Sequence, residues 1–278
     1  HYLQQAITGF LYAEAYEDAL WAGVIQASIA PNDTVTLLQV SELALKISEF
    51  PTAIEYIDRA LASSPSTPQL ERLQQFSLQA EATYRARSSL ERLHRRYPNR
   101  VDYRRSLATV YEWLQQPEKA LDQWLWISKK TGDRAATAKA RALAIGLFDS
   151  PRLIDLLEYT AGQRALTADE LYELVETLEN LGEPERAEQF LRGYLVNQRD
   201  ALGWQKLAKN LQDRQQFQQA IVVWKRYQQQ YPLTQHDLFE YAYILQATNR
   251  STELLALLLP YRDRLHTVPK GDVPRFSS

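Results

Sequence analysis

Apolar residues along this chain recur at offsets of three and four, which places them on one face of a helix, and the alternation of a half-buried strand is nowhere sustained. Amphipathic stretches of this kind alternate with short polar turns, among them Glu-Phe-Pro at 49–51, Leu-Gln-Gln-Pro at 114–117 and Leu-Gly-Glu-Pro at 181–184. Proline in each of these enters the first turn of the next helix, where its missing N–H leaves no bond unmade. The pattern predicts helices only, taken in pairs.

The pairs repeat. AIEYIDRALASSP at 53–65 echoes ALWAGVIQASIAP at 19–31, and stepping onward gives the anchors Ala19, Ala53, Ala86, Ala120, Ile154, Ala187, Ala220 and Leu254, spaced 33 or 34 residues apart. Twelve residues after an anchor stand Pro31, Pro65, Pro98, Gly132 and Pro232, each a helix stop. Nine before come Phe10, Ala44, Ser77, Tyr111, Ile145, Leu178, Leu211 and Leu245; thirteen before come Ala6, Val40, Leu73, Leu107, Arg141, Leu174, Leu207 and Tyr241. A small anchor recurs because two closely crossing helices leave no room for a larger side chain at their contact.

Trp204, Leu207, Ala208, Leu211, Ala220, Trp224, Tyr227 and Pro232 resemble the signature of the tetratricopeptide repeat family, as do Leu107, Ala108, Tyr111, Ala120, Trp124 and Gly132. The resemblance implies an all-α, TPR-like α-solenoid of about eight antiparallel helix pairs in a right-handed superhelix, whose first helices line a concave groove that holds other proteins. The units run approximately over 1–33, 34–66, 67–100, 101–134, 135–167, 168–200, 201–234 and 235–265, with 266–278 a polar C-terminal tail or linker. The fifth unit departs from the pattern. Arg141 stands at an apolar site, Ile154 replaces the alanine and no proline follows, so its register is open by a residue or so.

Composition changes this picture little. Of 278 residues 45% are hydrophobic and 24% charged, and the net charge of −2 exerts no overall pull on nucleic acid or an acidic membrane. No run of about 18 apolar residues spans a bilayer, so neither a nucleic-acid partner nor membrane insertion by this segment is expected. The absence of methionine and the immediate start of a helical pattern read as a piece of a longer chain.

Catalytic chemistry finds little support. No cysteine is present, the four histidines His1, His94, His236 and His266 are scattered, and the nine glycines form no phosphate-cradling loop. Glu173, Glu176 and Glu179 at three-residue spacing read as one solvated helix face. No catalytic, cofactor-binding or metal site is assigned, and no enzyme activity is expected.

Two surfaces remain. If the family geometry holds, positions 8, 11, 15 and 18 before each anchor point into the groove, giving the partner-binding candidates Asp169, Tyr172, Glu176 and Glu179, then Gln205 and Lys209, then Phe239 and Tyr243. The same row also includes Leu202, Gln212, His236 and Gln246. These residues either solvate the inner face or contact a partner, with the aromatic ones the better contacts. The second surface is the basic patch Arg92, Arg95, Arg96, Arg100, Arg104 and Arg105, interleaved with Tyr97 and Tyr103. It reads either as helix-end and ion-pair chemistry, which is preferred, or as a docking patch for a protein or polyanion. The lysine and asparagine clamp by which some family members grip chaperone tails is not assembled in any unit.

Degenerate repeats rich in Gln, Arg, Leu and Tyr, with many Ala-Leu and Ala-Ile pairs, also resemble the periplasmic repeat regions of PelB-type exopolysaccharide export proteins. That resemblance implies a periplasmic scaffold preceding an outer-membrane β-barrel outside this segment, with a PelA-like periplasmic deacetylase as protein partner and polysaccharide as a second one. A cytoplasmic adaptor for a peptide or protein and a direct carbohydrate-binding conduit stay open as alternatives.

Overall fold

The structure, a computed structural model, describes residues 2–261; the tail expected at 266–278 and the end of the eighth unit lie outside the described residues. Among the described residues are sixteen α-helices, one 3-10 turn at Leu259–Tyr261 and no strand. They divide into two compact units, the first ending at Leu156 and the second beginning at Leu157. The first holds α1 (Tyr2–Tyr12), α2 (Tyr16–Ile29), α3 (Thr34–Lys46), α4 (Phe50–Ala62), α5 (Thr67–Gln79), α6 (Thr83–Arg96), α7 (Val101–Trp113), α8 (Pro117–Thr131) and α9 (Arg134–Gly146). The second holds α11 (Ala168–Asn180), α12 (Pro184–Leu195), α13 (Ala201–Asp213), α14 (Phe217–Gln230), α15 (Gln235–Ala247) and α16 (Ser251–Leu258), and the boundary falls within α10 (Ser150–Gln163).

Within each unit a helix packs on its successor, and in the first unit α3 also meets α5 while α4 meets α6. Like helices of successive pairs therefore stack, each pair burying the apolar stripe of its neighbour. Ala19, Ala53, Ala86, Ala120, Ala187 and Ala220 each occupy the fourth position of the second helix of a pair and are wholly buried. The small anchors are the close crossings.

The fifth anchor is corrected by one residue. Because α10 begins at Ser150, its fourth residue is Leu153 and not Ile154. The Leu153 N–H donates to the Asp149 carbonyl at 3.0 Å, as Ala53 does to Glu49 at 2.9 Å and Ala220 to Gln216 at 3.0 Å. Nine and thirteen residues earlier then stand Ala144 and Ala140, both fully buried, in place of Ile145 and Arg141. The arginine at an apolar site was a register slip: Leu153 and Ile154 are adjacent and both apolar, so spacing alone does not choose between them. The short loop Gly132–Asp133 chooses. Gly132, at φ +68°, ends α8 in the left-handed region, and Asp133 caps α9 at once through the N–H groups of Ala135 and Ala136.

Every turn inside a pair is built alike. Five residues before the corrected anchors stand Glu14, Ser48, Glu81, Gln115, Phe148, Gly182, Gln215 and Asn249, all with positive φ. The N–H of the following residue closes back onto the first helix, as Gln116 does to the Tyr111 carbonyl at 2.9 Å and Asp149 to Ala144 at 2.9 Å. Gly182 and, less strongly, Asn249 have residue types that this conformation favours, and the other six do not. Phe148, with its side chain 92% exposed, gives up no core contact when removed. Phe148→Gly is expected to raise stability by about 0.5 to 1 kcal/mol, the left-handed penalty less the added entropy of glycine in the unfolded chain. A lower melting temperature would show that the ring has a packing role.

Candidate functional site

Six of the first helices are fixed at their starts by side chains 20 residues before the anchor, whereas at α7 the residue in that place, Arg100, makes no cap. Asp33, Asp133 and Asp200 accept backbone N–H bonds at the starts of α3, α9 and α13. Ser66, Thr167 and Thr234 form capping boxes with Gln69, Glu170 and Asp237 at α5, α11 and α15. Side chains roughly one repeat apart then tie pair to pair. Arg85 meets Asp58 at 2.8 Å, Arg72 meets Glu42 at 2.7 Å, and Lys139 meets Glu112 at 2.9 Å in the first unit. In the second, Lys225 meets Glu253 at 2.8 Å and Arg214 meets Glu185 at 3.0 Å.

The arginine-rich stretch belongs to this system of ties. Arg92 donates to the Leu61 carbonyl in the last turn of α4 at 2.5 Å and Arg96 to the Pro65 carbonyl in the loop after it at 2.9 Å, so both satisfy backbone groups of the preceding pair. Arg104 donates to the Pro98 carbonyl at 2.7 Å and to Gln123 at 2.8 Å, and its guanidinium lies 4.0 Å from the Trp126 ring centroid. Arg105 is paired with Asp133 at 2.6 Å, and Arg100 donates to the Tyr103 hydroxyl at 3.0 Å. Arg95 is exposed and makes one long contact, 3.4 Å, to the Glu91 carbonyl.

The inner-face candidates all lie in the second unit, and they divide into engaged and free. Tyr172 is half-buried, its hydroxyl donates to Asp200, and Tyr194 donates to the same carboxylate at 3.2 Å. Burial, then the Asp200 charge, pushes the Tyr172 pKa well above its ordinary value. Gln205 donates to the fully buried Asp237 at 2.7 Å and to the Tyr227 hydroxyl at 3.1 Å, and Tyr227 donates in turn to Asp237 at 3.1 Å. Burial and then Asp237 push the Tyr227 hydroxyl up to about 12. Glu179 accepts from Asn210 at 2.6 Å. Lys209 lies 2.6 Å from Asp213, and that bond raises its pKa. Asp169 and Glu176 are exposed and engage no partner among the described residues. Phe239 and Tyr243, four residues apart on α15, are 52% and 48% exposed.

An open cleft of about 440 Å³ is formed by α11, α13, α14 and α15. It brings together Glu179, Gln205, Lys209, Gln212 and His236, all expected on the inner face. Leu202, also expected there, joins them, and five residues that the inner-face spacing does not pick out, Lys206, Asp213, Trp224, Asp237 and Glu240, complete its walls. Trp224 reads in the sequence as a core signature residue, and the signal that it does more is its counterpart Trp124, whose indole N–H is bonded to Glu112 at 2.5 Å. Asp169, Tyr172, Glu176, Phe239 and Tyr243 lie outside this cleft, on the α11 and α15 helices that flank α13.

Among solved structures, the chain is similar over 97% of its length to a chain of a Naa15/Naa10 assembly bound to HypK-THB, at 13% identity with a TM-score of 0.53, and it spans 42% of that chain. It is also similar to a tetratricopeptide repeat protein from Parabacteroides merdae ATCC 43184, at 12% identity over 87% of this chain and 97% of that one, TM-score 0.40. A MamA protein matches at 18% identity over 59% of this chain and 94% of that one, TM-score 0.40. No family model matches the sequence, and no curated protein matches it. The chain has a tetratricopeptide-like helical-repeat fold.

Proposed function

We propose that the chain is a non-catalytic scaffold that holds a protein partner on the inner face of α11, α13 and α15. The observation that carries this reading is the second unit's combination of a polar cleft with flanking groups that the fold leaves unused: the half-exposed rings of Phe239 and Tyr243 and the unpartnered carboxylates of Asp169 and Glu176. Exposed aromatics supply contact area at low entropy cost, and free carboxylates steer a basic partner surface.

The finer reading places the scaffold in the periplasmic part of a PelB-type exopolysaccharide export system. There it docks a polysaccharide-modifying deacetylase or hydrolase of the PelA kind and helps direct polymer to an outer-membrane pore. It is supported by the composition of the degenerate repeats, rich in Gln, Arg, Leu and Tyr. A direct grip on the polymer is the competing mode, and titration with glycan separates the two.

Replacing Phe239 and Tyr243 together by alanine is expected to weaken binding of a deacetylase co-purified from the native envelope by at least about tenfold, or 1.4 kcal/mol. Melting stays nearly unchanged, since neither ring is buried. Tyr172 is left intact because its hydroxyl is committed to Asp200. Reversing Asp169 and Glu176 to lysine is expected to slow association, most strongly at low salt. A partner that binds both variants as tightly as the parent protein is held elsewhere, and the reading fails.

A further inference from the structure

In the first unit two junctions between second helices are tied by an arginine six residues after the anchor. Arg59 donates to the Ala27 carbonyl at 3.2 Å and Arg92 to the Leu61 carbonyl at 2.5 Å, each acceptor standing eight residues after the preceding anchor. The same register sets Arg226 against the Leu195 carbonyl. That bond is not made. Arg226 is exposed and engages no partner among the described residues, and between α12 and α14, which both pack on α13, lies an open recess of about 430 Å³.

The recess has an apolar floor and a basic rim. Leu195, Trp204, Leu207 and Val223 form the floor and are buried, and Val196 and Val222 flank it, 78% and 54% exposed. Val222 stands where five other pairs carry Glu55, Ser88, Asp122, Asp155 and Gln189, so the apolar flank is particular to this junction. Arg192, Gln219 and Arg226 make the rim, and no carboxylate lines the recess. Nearby, Glu188 is shared by Arg192 at 2.6 Å and Arg214 at 2.5 Å, and Glu185 meets Arg214 at 3.0 Å. Two carboxylates balance two guanidinium groups, which leaves the charge of Arg226 in excess.

We propose that this recess is a binding site for a free aliphatic monocarboxylate, a medium-chain fatty acid, whose chain lies along Val196, Val222 and the floor while its carboxylate is held by Arg226. The chain takes out of water apolar area that the fold leaves exposed. A guanidinium meets a carboxylate through two parallel N–H donors, and one excess positive charge answers one negative head. The volume lies in the range of small-ligand pockets. The site is built on the second helices and stands independently of the protein-holding reading of the inner face.

The test is titration of the protein, labelled with 13C at its valine methyl groups, with octanoate and separately with octanol, the uncharged counterpart. The methyl resonances of Val196 and Val222, assigned by their loss in Val196→Thr and Val222→Thr, are expected to move and saturate together with octanoate, while those of Val40 and Val110, buried in the first unit, stay in place. Arg226→Gln is expected to weaken octanoate by at least about tenfold and to leave octanol unchanged. Its melting stays nearly that of the parent, because the side chain is exposed and unpaired. Val222→Glu puts a charge in the path of the chain and is expected to abolish binding of both. Unmoved Val196 and Val222 methyls, octanol bound as tightly as octanoate, Arg226→Gln binding as the parent does, or movement spread equally over valines of both units overturns the proposal. If Val222→Glu fails to fold, Arg226→Gln decides. Replacing Phe239 and Tyr243 by alanine leaves octanoate binding unchanged, so this site and the protein-holding reading fail separately.

Discussion

Glu170→Ala is expected to lower the stability of the second unit by about 2 to 3 kcal/mol, among the largest effects of any single polar replacement in the chain. The Glu170 carboxylate is 7% exposed and grips Arg164 with both oxygens, at 2.6 and 2.8 Å. It also accepts the Thr167 N–H at 2.9 Å, completing the capping box of α11. The figure lies below the range for fully buried pairs because about a third of the Arg164 side chain meets solvent. The Arg164 bond is the largest cause of the drop in the Glu170 pKa from 4.5 to about 2, opposed by burial and aided by the Thr167 N–H. A carboxylate with a depressed folded pKa contributes stability that is present above its unfolded value and lost as pH falls through the folded one. The contribution is therefore full above pH 4.5 and fades toward pH 2. Urea unfolding of parent and Glu170→Gln across that window checks it: the gap between them is expected to close as pH falls, and a gap independent of pH contradicts the assignment.

Ala220→Leu carries a comparable penalty by a different route. Ala220 is wholly buried at the crossing of α13 and α14, where extra methylenes force side chains off their rotamers or part the helices, at a cost of about 1 to 3 kcal/mol. Gln228→Leu, on the exposed side of the same helix, is the control and is expected to change little. Because stacked pairs touch only neighbours, hydrogen exchange is expected to quicken in α13 and α14 first. Equal melting of both variants would remove Ala220 from the contact.

The helix pairs and their anchors were legible in the sequence because close crossings and helix stops leave marks at a fixed period. The fifth register was not. The choice between Leu153 and Ile154 rests on a two-residue loop at Gly132 and Asp133, which a period of 33 or 34 does not resolve. The side on which a residue lies was also readable: Gln205, Lys209, Gln212 and His236 do meet in one cleft. Whether such a residue is free was not, since that depends on a partner about one repeat away. Tyr172 is engaged because Asp200 stands 28 residues on, and Gln205 because Asp237 stands 32 on. The arginines from 92 to 105 show the same limit. The preferred reading, helix-end and ion-pair chemistry, agrees with their contacts, but the carbonyls of the preceding pair that Arg92 and Arg96 serve stand 31 residues away.

The central claim is that the inner face of the second unit holds a protein. Its most direct test places a photo-crosslinking phenylalanine analogue at Tyr243, and separately at Arg226, an exposed residue on α14 beyond the cleft lining, in cells that produce the protein. The account predicts a discrete protein adduct from position 243, lost when Phe239 is replaced by alanine, and none from position 226. Adducts from position 226 alone, or polysaccharide and no protein at position 243, would contradict it.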